Sequence, residues 1–203
     1  MHSFESSEQN KYFTNRLIIK KLDQKHPDIN KVLYLYQISF PENELMNFNV
    51  FFSSQIKGDV LSFYDNNIFV GFAALMSKDN ISNILYFAIE PSLRGKGYGT
   101  QSLKQICEYY GNNKIILDVE DPFECNNERE REKRLKRIQF YIKAGFKLTN
   151  IKYKWSDEYY VIMVINSVNL TEKEFWEFWK IRRQWGYIIF FYYNTIYYYL
   201  IYK

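Results

Sequence analysis

A glycine-rich segment near the middle of the chain constrains the fold more than any other feature of the sequence. Residues 94–99 read Arg-Gly-Lys-Gly-Tyr-Gly, and they follow an apolar run at residues 84–89 that has the character of a buried strand. The next apolar residues recur with the spacing of one helix face: Leu103, Ile106, Cys107 and Tyr110. A glycine-rich turn between a strand and a helix directs backbone N–H groups at one point, where the helix dipole favours negative charge. The segment therefore predicts a site for a phosphate or pyrophosphate group.

Two common phosphate-binding motifs do not fit this segment. A P-loop requires Ser or Thr after Gly-Lys, whereas Gly97 follows Lys96. A dinucleotide-binding fingerprint requires its third glycine at the position of Thr100, one residue after Gly99. On the motif alone, a glycine-rich loop without a ligand stays open as an alternative.

The pattern of apolar residues predicts both strands and helices, as in a single α+β domain. The predicted order is a strand, two helices, three strands, a helix, a strand, a helix and two strands. We expect the strands at residues 17–19, 60–63, 68–76, 84–89, 114–120, 146–155 and 159–165. A turn is predicted at Asp65, Asn66 and Asn67, between the second and third strands.

Capping residues and apolar faces predict the helices. Asp28 is expected to cap the first helix, and a less regular second helix is expected over residues 43–54. The third begins at the glycine turn and ends at Gly111, and the fourth covers residues 128–144. The predicted apolar face of the first helix is Ile29, Val32, Leu33 and Tyr36, and that of the fourth is Leu135, Ile138, Tyr141 and Ile142.

Composition and charge restrict the class of protein. A chain of 203 residues can bury a core without disulfides or a structural metal. Its two cysteines indicate reduced thiols in the cytoplasm, and its polar first residues predict no signal peptide. A formal net charge of +4 suits a polyanionic cofactor but does not indicate nucleic acid. His2 and His26 are isolated, so no metal site is predicted.

Two motifs resemble those of the GNAT superfamily of N-acetyltransferases. The pattern Arg-x-x-Gly-x-Gly at residues 94–99 matches the signature of that superfamily. Phe140-Tyr141, followed by Gly145-Phe146, is similar to the Phe-Tyr-x-x-x-Gly-Phe that ends its helix after the fifth strand. Together with the order of elements, these motifs imply the GNAT fold. That fold has a central mixed, mostly antiparallel sheet of about six to seven strands flanked by helices.

The resemblance covers roughly residues 15–167. Residues 40–44 and 117–120 are similar to a bacterial branch of the superfamily whose acceptors are poorly defined. The implied activity is transfer of an acetyl group from acetyl-CoA to a primary amine of a small molecule or peptide, by direct attack in a ternary complex.

The resemblance also assigns the cofactor-binding residues. The backbone N–H groups of Ala88 and Ile89 are expected to polarise the acetyl carbonyl. The pyrophosphate of the cofactor is assigned to the turn, whose expected binding residues are Arg94, Gly95, Lys96, Gly97, Tyr98, Gly99 and Thr100.

Three residues are the candidates for acid–base catalysis. Tyr141 is expected to protonate the leaving CoA thiolate, because it directly follows Phe140 and lies four residues before Gly145. Its place on the apolar stripe leaves core packing open as an alternative. Glu120 is the first candidate for the general base and Glu90 the second, although each could instead be a solvated surface carboxylate.

Arg134 departs from the pattern of the superfamily, in which many members carry a cofactor-binding Asn seven residues before the tyrosine. Arg134 either binds a phosphate in place of that Asn or pairs with Glu130 one helical turn earlier. Three further acids are weaker candidates for the general base. Asp118 shares a strand face with Glu120, and Glu42 and Glu44 lie in a segment where the family often builds its acceptor wall.

Residues 168–203 lie beyond the expected acetyltransferase domain, which we place at residues 1–167. Thr171 and Glu174 predict a capping box and a helix, and the uncharged run at residues 187–202 is shorter than the roughly 20 residues of a membrane span. Three interpretations of this terminus stay open: packing on the domain or a partner, contact with a membrane surface, and a sequence not shaped by selection. A homodimer also stays open. Two other classes also remain: a non-catalytic CoA-binding regulatory module and a membrane-associated interaction protein.

Overall fold

The computed structural model describes residues 17–53, 57–155, 157–167 and 169–180. The run at residues 187–202 therefore lies outside the described residues, and the interpretations of it stay predictions. The strands are β1 (Ile18–Leu22), β2 (Gly58–Asp65), β3 (Ile68–Lys78), β4 (Ile81–Ile89), β5 (Lys114–Glu120), β6 (Lys147–Trp155) and β7 (Glu158–Ile165). The α-helices are α1 (Ile29–Ser39), α2 (Tyr98–Tyr110) and α3 (Glu128–Lys143), with 3₁₀ turns at Glu42–Glu44, Phe48–Phe52 and Pro91–Leu93. Residues 172–180 form a further helical segment, here called the C-terminal helix.

The strands of the described residues form one seven-stranded sheet in the order β1-β2-β3-β4-β5-β7-β6. Every neighbouring pair is antiparallel except β4 and β5, which run parallel. A parallel pair needs a crossover connection, and α2 supplies it between these two strands. The α+β class and the mostly antiparallel sheet predicted from the sequence are confirmed.

Side chains alternate along the strands and give the sheet two buried faces. One face packs against α1 and the C-terminal helix, through residues that include Val32, Leu35, Tyr36, Phe175 and Trp179. The other packs against α2 and α3, through residues that include Leu103, Ile106 and Ile138. We call these the α1 face and the α2–α3 face. The central strands β4 and β5 are thus covered on both sides.

Two predicted chain reversals are confirmed by their backbone geometry. Asn66 and Asn67 occupy the turn between β2 and β3 with φ of 46° and 68°, a region that asparagine tolerates better than most residues. Gly111 ends α2 with φ of 58°, and its N–H donates to the carbonyl of Cys107 at 3.0 Å. The hairpin and the crossover helix therefore end close to where the sequence placed them.

Several details of α1 and the segment after it differ from the expectation. Asp28 occupies the N-cap position without capping, because its carboxylate instead accepts from the Tyr64 hydroxyl at 2.8 Å and pairs with Lys31. Leu35 rather than Leu33 is fully buried on the helix. The irregular helix predicted at residues 43–54 is instead two short 3₁₀ turns. Asn47 caps the second turn, because its side chain accepts a hydrogen bond from the N–H of Asn49.

The apolar face predicted for α3 is partly wrong. Arg134 and Ile138 are its buried residues, whereas Ile142 is 49% exposed. Residues 134, 138 and 141 are separated by four and three positions, and this spacing rotates the buried face away from Ile142. A charged residue thus takes a place on the inner face of the helix.

Candidate active site

The two central parallel strands separate from each other along their length. Residues 81–84 of β4 pair with residues 114–117 of β5, and no pairing of the two continues beyond them in the described chain. The register of β4 against β3 shifts at the same point, because Tyr86 opposes Ala74 and Ile84 opposes Leu75. Leu85 is therefore an extra residue, a β-bulge that bends its strand. The result is a V-shaped opening between the carboxyl ends of β4 and β5, which we call the V.

Backbone groups of β4 face into the V. The N–H of Glu90 donates to the carbonyl of Val70 in β3 at 2.9 Å. Because successive N–H groups of a strand point to opposite edges, we expect those of Phe87 and Ile89 to point away from β3. By the same alternation the N–H of Ala88 faces β3. Of the two residues expected to polarise the acetyl carbonyl, the geometry favours Ile89.

The glycine turn lies at the end of β4 and leads directly into α2. Gly95 and Gly97 have φ of 76° and 83°, the left-handed region that glycine occupies without strain. Gly97 is also the N-cap of α2, and no side chain caps the helix there. The side chain of Arg94 turns back, and its Nε donates to the carbonyl of Ile89 at 2.9 Å. The turn is thus tied to the end of the strand that borders the V.

Gly99 lies against an aromatic ring of α3, a contact that the sequence did not show. A Cβ at this position would lie 3.0 Å from the ring of Phe140 on α3, which is closer than side-chain contacts normally allow. In the sequence, Gly99 was assigned to the pyrophosphate site and Phe140 to a separate motif. The structure joins the two motifs, because the ring of one packs on the glycine of the other.

Tyr141 borders the α2–α3 face beneath this contact. Its ring lies 5.0 Å from that of Phe140 and 5.8 Å from that of Phe146, measured between centroids. Burial raises the pKa of Tyr141 to about 12, although the charge of Arg137 opposes the shift. The residue therefore both packs in the core and holds its proton at neutral pH, so that packing and acid catalysis are compatible.

Glu120 ends β5 on the other arm of the V and forms an ion pair with Arg137 of α3. The negative charges of Glu120 and Glu44 contribute to a raised pKa at Tyr160 of β7, which reaches about 12 mainly through burial. Partial burial and the charge of Glu120 likewise raise the pKa of Glu44. Glu44, Glu120 and Tyr160 therefore lie close together at the β5 arm of the V. Sequence reasoning missed Arg137 and Tyr160, which belong to no local motif.

Asp118 is engaged with neighbouring side chains at the base of the V. Its carboxylate accepts from the Tyr153 hydroxyl at 2.6 Å and from the amide of Asn83 at 3.5 Å. Asn83 is fully buried, and its Oδ1 has no hydrogen-bond partner among the described residues. The three residues come from β5, β6 and β4, so the network connects strands on both sides of the V.

Glu90 directly follows β4 and lies at the same edge of the sheet as Glu120. Because β4 and β5 are parallel, their carboxyl ends meet at the open end of the V. The structure therefore brings the two candidate bases to the two arms of one opening. Lys96 on the glycine turn and Thr100 in the first turn of α2 are both exposed beside it.

Arg134 is buried and directs its two terminal nitrogens at protein groups. Its Nη1 donates to the carbonyl of Asp121 at 3.1 Å, and its Nη2 donates to the carboxylate of Glu158 at 2.9 Å. Glu130, the partner expected from helical spacing, lies 3.9 Å from its Nε. These contacts fasten the loop after β5 to β7 and do not favour the predicted phosphate contact, which stays a prediction.

Within the described residues, no helix is long and apolar enough to cross a membrane. Over the same part of the chain, no group of three or more His, Cys, Asp or Glu side chains could hold a metal ion.

Comparisons with known proteins identify the class to which this fold corresponds. The family model described as an acetyltransferase (GNAT) domain matches residues 57–148, which contain the V and the glycine turn. An acetyltransferase of the GNAT family from Bacteroides thetaiotaomicron has 24% identity and a TM-score of 0.66, over 85% of this chain and 97% of its own. The fold is that of the GNAT acetyltransferases, and the resemblance inferred from the two motifs is confirmed.

Two further solved structures share the fold and contain coenzyme A. An acetyltransferase from Bacillus subtilis in complex with CoA has 13% identity and a TM-score of 0.54, over 75% of this chain and 100% of its own. An aminoglycoside 6′-N-acetyltransferase complexed with coenzyme A has 15% identity and a TM-score of 0.55, over 76% of this chain and 99% of its own. Among curated protein sequences, none matches this chain.

Proposed function

We propose that the protein is an acetyl-CoA-dependent N-acetyltransferase that acts on a primary amine. The observation that carries this proposal is the V between β4 and β5, with a glycine turn at the end of the β4 arm. Such an opening offers an unpaired strand edge to an extended ligand, and the turn beside it offers backbone N–H groups to its phosphates. Acetyl-CoA has this combination of an extended arm and a pyrophosphate. Like the two CoA-bound neighbours, the chain has the GNAT fold.

The chain supplies groups that fit the cofactor at both ends of the V. The N–H groups of the turn would hold the pyrophosphate, and Lys96 would add a positive charge. The N–H of Ile89 would stabilise negative charge on the acetyl oxygen, because it is a fixed dipole at the strand edge. Bound acetyl-CoA supplies an acetyl group activated as a thioester.

Tyr141 would serve as the proton donor. A raised pKa of about 12 keeps the phenol protonated at neutral pH, so its proton is available when the thiolate departs. Its contact with Phe140 and Phe146 fixes the ring, so that the hydroxyl is held in one orientation.

Glu120 or Glu90 would remove the proton of the acceptor ammonium, directly or through water. Glu120 is the stronger candidate, because Arg137 holds its carboxylate and the phenol of Tyr160 lies near it on the α1 side. Glu44 would add negative charge to the wall that the cationic acceptor approaches. We place the reaction in the cytoplasm, consistent with the two free thiols, Cys107 and Cys125.

Two measurements test the proposal. Calorimetry should detect binding of CoA, and release of free thiol from acetyl-CoA should accelerate with at least one acceptor from a panel of polyamines, aminoglycosides, amino acids and peptide N-termini. Mass spectrometry of the product should locate the acetyl group on nitrogen. A protein that neither binds CoA nor turns over any acceptor would contradict the proposal. CoA binding without turnover would support the regulatory module instead.

A further inference from the structure

Helix α2 is attached at both ends by the same kind of hydrogen bond. Tyr98, its first residue, donates its hydroxyl to Asp65 Oδ2 at 2.7 Å, and Tyr110, its last residue, donates to Asp59 Oδ2 at 2.6 Å. Asp59 and Asp65 lie near the two ends of β2. The helix is therefore fastened antiparallel to β2 by two phenol–carboxylate bonds that differ in their surroundings.

The bond at the N-terminus of α2 lies within the glycine turn. Arg94 ties the turn to Ile89 on one side of Gly95 and Gly97, and Tyr98 ties it to the β2–β3 hairpin on the other. The two glycines between these anchors have many accessible conformations in the absence of constraints. Side-chain hydrogen bonds on both sides thus hold the glycine turn in one conformation, which its glycines alone would not do.

The C-terminal end of α2, unlike its N-terminal end, does not adjoin the glycine turn or the V. Asp59, which accepts from Tyr110, also pairs with Lys21 of β1, at the edge of the sheet. Burial and Asp59 raise the pKa of Tyr110, and the bond to Asp65 raises that of Tyr98, so both phenols stay protonated as donors. The two bonds are chemically alike, and only one adjoins the predicted phosphate site.

We infer that Tyr98 is a positioning residue, which holds the N–H groups of the glycine turn in their phosphate-binding arrangement through Asp65. The inference rests on the proposed function, because it assumes that the turn binds the pyrophosphate of CoA. A turn that is already ordered loses less conformational entropy when the ligand binds, and this increases affinity. The hydroxyl of Tyr98 is directed at Asp65, so its role does not require contact with the phosphates.

The hydrogen bond that Asp65 accepts from Tyr98 can be tested separately from the negative charge of its carboxylate. A carboxylate near an anion-binding turn repels the ligand, so its value lies in accepting the hydrogen bond from Tyr98. An asparagine at this position keeps an acceptor oxygen and removes the charge. Asp65→Asn should therefore retain or improve CoA affinity, whereas Asp65→Ala should reduce it.

The experiment compares Tyr98→Phe with Tyr110→Phe in the full chain. Both variants lose one phenol–carboxylate bond of the same helix, and Tyr110→Phe should lower the melting temperature at least as much as Tyr98→Phe, because the Tyr110 bond is more deeply buried. Only Tyr98→Phe should weaken CoA binding, by about three- to tenfold in the calorimetric Kd. In the acetylation assay, the KM for acetyl-CoA should rise by the same factor while kcat stays within about twofold of the wild type.

The opposite results would overturn the inference. Equal CoA affinity in wild type and Tyr98→Phe, or equal loss in both tyrosine variants, would mean that the bond stabilises the helix and nothing more. Loss of affinity in Asp65→Asn as large as in Asp65→Ala would contradict the positioning bond, with circular dichroism verifying that both are folded. Absence of CoA binding in the wild type would instead contradict the proposed function, so the two failures are distinguishable.

Discussion

The guanidinium of Arg137 on α3 forms an ion pair with the carboxylate of Glu120 at the end of β5. Arg137 also lowers the pKa of Tyr141 on the same helix, against the larger effect of burial. One cation thus lies between the residue proposed as base and the residue proposed as acid. The pair further joins α3 to one arm of the V.

Tyr141→Phe should reduce kcat by about 100-fold while the affinity for CoA changes little. The phenylalanine keeps the ring contacts with Phe140 and Phe146 but removes the proton. Thiol release and calorimetry with the same preparation measure both quantities. Tyr34→Phe, at a residue that is 61% exposed on α1, is the matched control. Unchanged turnover in Tyr141→Phe would reduce Tyr141 to a packing residue.

The activity should not decline at alkaline pH through ionisation of Tyr141. A phenol with a pKa raised to about 12 remains protonated well above neutral pH, so kcat should stay level from about pH 8 to 10. A fall in kcat within that interval that is present in the wild type and absent in Tyr141→Phe would show that the phenol ionises earlier, contrary to this expectation.

Glu120→Gln should lower kcat by about 100-fold or more, because the amide cannot accept the proton of the acceptor. The variant also leaves Arg137 without its carboxylate partner. Glu128→Gln is the control, because it breaks the ion pair with Arg131 on the exposed surface of α3, the helix that carries Arg137. Full activity of Glu120→Gln together with a large loss in Glu90→Gln would transfer the role of base to Glu90.

Gly99→Ala should weaken CoA binding and lower the melting temperature, because its methyl group would lie 3.0 Å from the Phe140 ring. The double variant Gly99→Ala/Phe140→Leu should recover part of both losses, since the smaller side chain relieves the contact. Gly95→Ala is a useful comparison: its methyl meets no atom within 4 Å, so its cost of about 1 kcal/mol arises from the positive φ alone. Absence of any recovery in the double variant would contradict the proposed contact.

The attachment of the C-terminal helix should depend on pH. The predicted capping box is present, and Glu174 also pairs with Lys114 at 2.5 Å. Lys114 and the Thr171 bonds lower the pKa of Glu174 to about 2, so the stabilisation is complete above its unfolded pKa near 4.5 and disappears as pH falls towards 2. Glu174→Gln should therefore lower the melting temperature at pH 7 more than at pH 3.

Glu177→Gln provides the control for this comparison. Its pair with Lys180 lies on the exposed side of the same helix, and such surface pairs contribute little to stability. Calorimetry at both pH values measures the two variants together. An equal decrease in melting temperature in Glu177→Gln and Glu174→Gln at pH 7 would mean that the overall charge of the helix, rather than its attachment to β5, explains the effect.

Most of the fold could be predicted because its elements are specified locally. Asn66 and Asn67 tolerate the positive φ of the hairpin turn, and Gly111 ends α2 for a similar reason. The errors occurred where tertiary contacts outweigh local preference. Asp28 bonds Tyr64 instead of capping its helix, and Arg134 is buried with its two terminal nitrogens bonded to Asp121 and Glu158.

The sequence by itself determined the glycine turn, the order of the strands and of the three α-helices α1, α2 and α3, and the place of Tyr141 on its helix. These depend on backbone preference and on the periodicity of neighbouring residues, which are properties of short segments. Only the tertiary structure decided how far β4 and β5 separate, which N–H of β4 faces the V, and which partners Glu120, Tyr98 and Gly99 have. Those relations join residues far apart in the chain, and no local pattern encodes a contact that exists only after the sheet has formed.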